Sequence, residues 1–154
     1  MNPDFLSFMN YLPHLRPGAY AKITGNPEHP LLEGYAIFYS APMTGIYVQV
    51  KVLHLPDGFF GMHIHEFGDC TEPFDKTGTH YNPNLQPHPE HAGDLPPLLS
   101  SMGNAWTMFY DGRLSLSEVL GKSIIIHGGR DDFTSQPSGD SGAKIGCGVI
   151  EKIH

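Results

Sequence analysis

Apolar and polar residues alternate most regularly over residues 45–55, GIYVQVKVLHL. Tyr47, Gln49, Lys51 and Leu53 fall on one side, and Ile46, Val48, Val50, Val52 and His54 on the other. A period of two is that of a strand with one buried face. Strand-like runs also stand at 19–25 (AYAKITG), 33–41 (EGYAIFYSA), 59–67 (FFGMHIHEF), 103–110 (GNAWTMFY), 121–127 (GKSIIIH) and 142–153 (GAKIGCGVIEKI). Pro56-Asp57-Gly58 marks a turn between two of them. Residues 68–100 carry six prolines and little periodicity, and 128–141 form a second long loop. Short strands, turn punctuation and two long loops predict an all-β sandwich or barrel. The strands make one domain, 19–154. Residues 1–18 read as an N-terminal extension. In it Phe5, Leu6, Phe8, Met9 and Leu12 are spaced for a short amphipathic helix that docks on the body, covers a sheet edge or meets another subunit.

Composition narrows the picture. At 154 residues the chain suffices for one domain with its own core. A formal net charge of −7 argues against binding to nucleic acid. No stretch is long and apolar enough to span a membrane. The N-terminus lacks a basic leading segment, so the expected location is the cytoplasm, with export left open. The two cysteines, Cys70 and Cys147, are compatible with a disulfide, free thiols or metal ligation; no C-x-x-C zinc pattern is present.

Histidine changes the picture most. The chain has ten, and six lie between positions 63 and 127. In GMHIHEFGDC, His63 and His65 are two apart on a strand-like run and so share a face. Two imidazoles that close can bind one metal ion. The loop THYNPNLQPHPEHAGDLPPL supplies His80, His88, His91 and Asp94. Three imidazoles and a carboxylate make a closed tetrahedral set for zinc, which would also order a proline-rich loop. His127 ends the run SIIIH and adds an imidazole to the His63–His65 pair; an open site of three or four imidazoles suits a redox copper. Asp131, in GGRDDF, is placed to accept the second N–H of a ligating histidine.

Five ordered motifs, carried by the four segments GMHIHEFGDC, HYNPNLQPHPEHAGDLPPL (which holds both HYNP and HAGDL), KSIIIHGGRDD and GAKIGCGVI, resemble the copper,zinc superoxide dismutase family over residues 19–153. The fold that this resemblance implies is an all-β, eight-stranded Greek-key β-barrel or sandwich with two long functional loops. The resemblance implies a copper ion on His63, His65, His80 and His127, and a zinc ion on His80, His88, His91 and Asp94, with His80 bridging the two. It implies that Asp131 links His63 to His88, that Cys70 and Cys147 form a disulfide, and that His80 and Lys144 have catalytic roles. His80 would deliver a proton and Lys144 would attract the anion. The implied reaction is dismutation of superoxide to dioxygen and hydrogen peroxide, by a monomer or a homodimer. Three departures from the family pattern stand out: a short segment between His88 and His91, a shortened loop after His127 that should open the copper to solvent, and lysine at 144 where the family has arginine. Lys144 and Arg130 are the obvious candidates for a local positive patch on this acidic chain.

Rival metal sites on β-barrels fit less well. A cupin needs a glutamate in the window that holds Gly68, Asp69 and Cys70, and a metallo-β-lactamase pattern fails at Phe67-Gly68. A metal store with the same ligands would bind both ions without turnover.

Overall fold

The computed structural model describes residues 10–154, so the expected helix through Phe5, Leu6, Phe8 and Met9 lies outside the described residues. A 3₁₀ turn, Leu12–His14, leads into nine antiparallel strands: β1 (Pro17–Gly25), β2 (Glu33–Ser40), β3 (Ile46–Leu53), β4 (Gly58–Phe60), β5 (Met62–His65), β6 (Leu98–Ser101), β7 (Asn104–Asp111), β8 (Ser123–His127) and β9 (Lys144–Lys152). They form one sheet in the order β4-β6-β7-β3-β2-β1-β9-β8-β5. The two outermost strands, β4 and β5, are consecutive in the chain and meet at Gly61, which rolls the sheet into a nearly closed barrel. Four neighbouring pairs are non-sequential, β4–β6, β3–β7, β1–β9 and β8–β5, and the last three carry the long crossovers of the Greek key.

Alternation builds the barrel core. Ile46, Val48, Val50 and Val52 of β3 are buried, whereas their alternates are half-buried. Ala19, Ala21 and Ile23 of β1 and Ala36 and Phe38 of β2 join them. Burying each Ile or Val contributes about 1.5–3 kcal/mol relative to exposure. Strands β5 and β8 are buried throughout, because both of their faces are covered. Met62, Ile64, Ile124 and Ile126 face the core. Ile125 faces outward and packs with Phe74, Cys147 and Cys70 in a separate cluster.

Two expectations about strands need correction. Residues 59–67 are not one strand: the Gly61 amide donates to Gly129 O (2.8 Å), and Gly61 O accepts from the His127 amide (2.9 Å), so the run breaks there into β4 and β5. Residues 68–100 are not all loop, since β6 begins at Leu98 directly after Pro96-Pro97 and buries Leu98 and Ser100. The remainder of that loop is tied down at several points. A disulfide joins Cys70 to Cys147 of β9. The Ile64 amide donates to Gly93 O, the Gly93 amide to Tyr81 O and the Tyr81 amide to Ile64 O, at 2.8–2.9 Å.

Candidate metal centre

Strand β5 turns Met62 and Ile64 inward and therefore His63 and His65 outward, onto the face that the loop 68–97 covers. Isolated bridges His65↔His80 and His63↔Asp94 lay the loop antiparallel against this strand. Strand β8 ends at His127 beside them, and β9 begins at Lys144, the pairing partner of His127. All six central histidines are buried, the most exposed being His91 at 6%.

The hydrogen bonds fix which ring nitrogen carries a proton. Asp131, 1% exposed, receives His63 Nε2–H on Oδ2 (2.8 Å) and His88 Nε2–H on Oδ1 (2.9 Å). The lone pairs of those rings then sit on Nδ1, and both Nδ1 atoms have no hydrogen-bond partner among the described residues. His88 Nδ1 lies 3.1 Å from Asp94 Oδ2; a lone pair facing a carboxylate oxygen is proximity without a hydrogen bond. His65 Nδ1–H donates to Gly78 O (2.9 Å) and His127 Nδ1–H to Gly142 O (3.0 Å). Their Nε2 lone pairs consequently face each other at 3.4 Å. Two lone pairs this close repel unless a cation lies between them. His80 Nε2 is the third orphaned nitrogen, whereas its Nδ1 stands 2.7 Å from Asp94 Oδ1 and 3.3 Å from His91 Nδ1.

Two sets of four donors result. His63, His65, His80 and His127 bring ligand atoms within 4.8 Å of one another, and so do His63, His80, His88 and Asp94. The second cluster holds His63 where the sequence placed His91. His63, however, has a single free nitrogen and offers it to the first set. His91 Nδ1 lies 3.1 Å from Asp94 Oδ2, within reach of the second. Burial favours the neutral form of His63, His65, His91 and His127, as metal ligation requires. It pulls His63 and His65 down to about 2 and His127 to about 4, with neighbouring imidazoles adding to the effect. Burial acts to raise Asp94, but its hydrogen bond to His80 and the surrounding imidazoles outweigh that and hold it at about 2. The donors thus fit two cations: an all-imidazole set for copper and an imidazole–carboxylate set for zinc.

A pocket of about 360 Å³ opens onto the first set, with His65, His80, His127, Gly78 and Lys144 in its wall. The shortened loop does not lay the imidazoles bare: His65, His80 and His127 are 2–4% exposed. Arg130 is exposed and does not line the pocket. Lys144 does, but its Nζ donates to Thr77 Oγ1 (2.9 Å), Gly78 O (3.0 Å) and Phe74 O (3.4 Å). An ammonium has three N–H bonds, so none is left over for an anion. Lys144 instead ties β9 to the loop that orients His65, since Gly78 O also accepts the His65 Nδ1–H.

Sequence reasoning missed Gly139. Its φ is +67°, and a Cβ there would lie 2.0 Å from Asp131 Oδ1 and 2.6 Å from His88 Nε2. It missed Gln136 as well, whose side-chain amide accepts the His88 N–H (2.9 Å) and donates to His88 O (2.7 Å). Neither contact leaves a periodic or spaced signal in the chain.

Residues 32–150 match the family model described as copper/zinc superoxide dismutase (SODC). A superoxide dismutase [Cu-Zn] from Deinococcus radiodurans is 34% identical over 143 residues, covering 79% of this chain and 78% of its own. One from Schizosaccharomyces pombe is 41% identical over 106 residues, covering 58% and 69%. A crystal structure of a double mutant of a SOD-like protein from Bacillus subtilis superposes with a TM-score of 0.79 at 30% identity, covering 86% of this chain and 96% of that one. Two buried donor sets joined through His80, on a Greek-key barrel that matches these relatives over most of its length, place the chain in the copper/zinc superoxide dismutase family.

Proposed function

We propose that copper is held by His63 Nδ1, His65 Nε2, His80 Nε2 and His127 Nε2, and zinc by His80 Nδ1, His88 Nδ1, His91 Nδ1 and Asp94. The protein converts two superoxide anions and two protons into dioxygen and hydrogen peroxide. When bound, copper would supply the one-electron couple for this chemistry and zinc a fixed positive charge. The chain's own residues do the rest. Gly78 O and Gly142 O hold the His65 and His127 rings in the tautomer that leaves Nε2 free. Asp131 does the same for Nδ1 of His63 and His88, coupling the two sets. His80 lines the pocket, and its Nε2 would hold and release a proton for the peroxide product when that nitrogen is not engaged by copper. Lys144 lends its positive charge to the pocket without a free N–H.

The observation that carries this reading is the pair of Nε2 lone pairs at 3.4 Å beside three orphaned ring nitrogens. The test is the dismutation rate of protein reconstituted with copper and zinc, with both metals counted on the same sample. A rate far above that of an equal amount of chelated copper is expected. A background rate with both sites filled would leave a metal-binding protein and refute the enzyme.

A further inference from the structure

Arg113 touches none of the metal donors' ring or carboxylate atoms, yet its guanidinium reaches the backbone of two of the donor residues. Nη1 donates to His91 O (2.9 Å) and Nη2 to Asp94 O. The same Nη2 donates to Asp111 Oδ2 (3.1 Å), and the Arg113 amide donates to Asp111 Oδ1 (2.7 Å). Asp111 is 5% exposed and ends β7, paired with Ile46 of β3, so it belongs to the rigid barrel. The chain after Arg113 is also held: Leu114 is buried, and Ser115 and Glu118 form a capping box on the one-turn helix Leu116–Val119. Arg113 is therefore a fork anchored at its base, with two tines in the carbonyls of the turn His91–Asp94.

The middle of that turn is held by Gly93, which bonds to Ile64 and Tyr81, and its two ends, the donor residues, bond to each other. The Asp94 amide donates to His91 O (3.1 Å), and the His91 amide to Asp94 Oδ2 (2.9 Å). The second bond consumes a carboxylate oxygen of a donor residue. The spacing of the His91 and Asp94 side chains follows the distance between their carbonyls, and a planar, two-pronged donor that engages both carbonyls fixes that distance from outside the turn.

We infer that Arg113 is a positioning residue for the zinc half of the site: it fixes the His91–Asp94 turn so that both side chains meet one cation. The inference rests on the assignment of His91 and Asp94 to zinc given above. It adds a control point outside the histidine loop, delivered from the end of β7.

The test uses the full chain with its disulfide intact. Affinity for Zn(II) and for Co(II) is measured by chelator competition, and the Co(II) d–d spectrum is recorded, for wild type, Arg113→Gln and Arg113→Lys. Groups that orient ligands typically change metal affinity about 10–100-fold when removed. Arg113→Gln is expected to weaken both ions at least about tenfold and to shift the Co(II) bands. Arg113→Lys keeps a positive charge beside buried Asp111, and so preserves the fold, but it cannot span two carbonyls. Its affinity is expected to stay close to that of the glutamine variant. Wild-type affinity and spectrum in Arg113→Lys would overturn the inference, leaving only a charge partner for Asp111. Unchanged affinity in both variants would overturn it too. If wild type itself binds neither ion, the zinc assignment falls first, and that result is read before any variant is made.

Discussion

Gly139 offers a measurement of what the Asp131 bridge is worth. Alanine at 139 meets two separate obstacles. The first is backbone: a φ of +67° costs an L-residue about 1 kcal/mol. The second is contact, because the Cβ would stand 2.0 Å from Asp131 Oδ1. The carboxylate must then retreat by about 1 Å or more to reach ordinary van der Waals distance. Oδ1 holds His88 Nε2–H at 2.9 Å and the Phe133 amide at 2.7 Å. Hydrogen bonds to a charged acceptor are worth about 1.5–3 kcal/mol each, so losing both costs about 3–6 kcal/mol. Gly121 supplies the control, with φ +76° and nothing within 4 Å of an added Cβ. Thermal unfolding of the metal-free protein should place Gly121→Ala about 2–4 °C below wild type, and Gly139→Ala about 8 °C or more below it. Zinc affinity, by chelator competition, should stay at the wild-type value in Gly121→Ala. In Gly139→Ala it should fall about tenfold or more, since the ring of His88 loses the partner that fixes its tautomer. If the two variants melt together and bind zinc alike, the carboxylate bridge does not orient His88 and the reasoning fails.

Lys144→Arg should raise the dismutation rate about tenfold at low salt, because a guanidinium can satisfy the same acceptors and keep an N–H for the anion; an unchanged rate at equal copper content would refute the donor count. Acid should unfold the metal-free protein early. His63, His65 and His127 titrate at about 2, 2 and 4 when folded but near 6.5 when unfolded, so the unfolded chain binds more protons below that value. Stability is then full above about pH 7 and falls by up to about 4 kcal/mol per pH unit as pH drops through 5. Asp94, whose carboxyl is depressed, adds a further loss only below its ordinary 3.8. A urea midpoint that stays flat from pH 7 to 5 would contradict this. Replacing both Cys70 and Cys147 by serine opens a loop of 77 residues and should cost about 4 kcal/mol in the chain-entropy model, read as a lower urea midpoint. Gln136→Glu removes the amide donor to His88 O and sets a carboxylate beside that carbonyl, so zinc affinity should drop while the copper-site absorption holds; a change in both would show that Gln136 supports the whole loop.

The features legible in the sequence are those that a local period encodes. Alternation in 45–55 gives β3 its buried face, and the same period of two puts His63 and His65 on one side of β5. Residue type at fixed spacing marks His80, His88, His91 and Asp94 as one group. What the sequence hides is set by backbone groups brought from far along the chain. Strand β6 is only four residues long and follows two prolines, too short for a period to emerge. Gly61 splits a continuous apolar run because its amide and carbonyl bond to residues 127–129, and nothing in FFGMHIHEF announces that pairing. Lys144 reads as a free cation when only its charge is counted. Its loss of every N–H to Phe74, Thr77 and Gly78 depends on how closely β9 passes the disulfide loop. The same logic separates the donor atoms from their supports. A metal dictates the residue type of its ligands, whereas a ligand's orientation can be fixed by any suitable donor or acceptor within reach. Here that work falls to two carbonyls, a carboxylate, an amide side chain and a guanidinium, at Gly78, Gly142, Asp131, Gln136 and Arg113. Asp131 alone among them is marked in the sequence, by its place four residues after His127; an orienting carbonyl, amide or guanidinium can come from many positions, so no spacing rule identifies the other four.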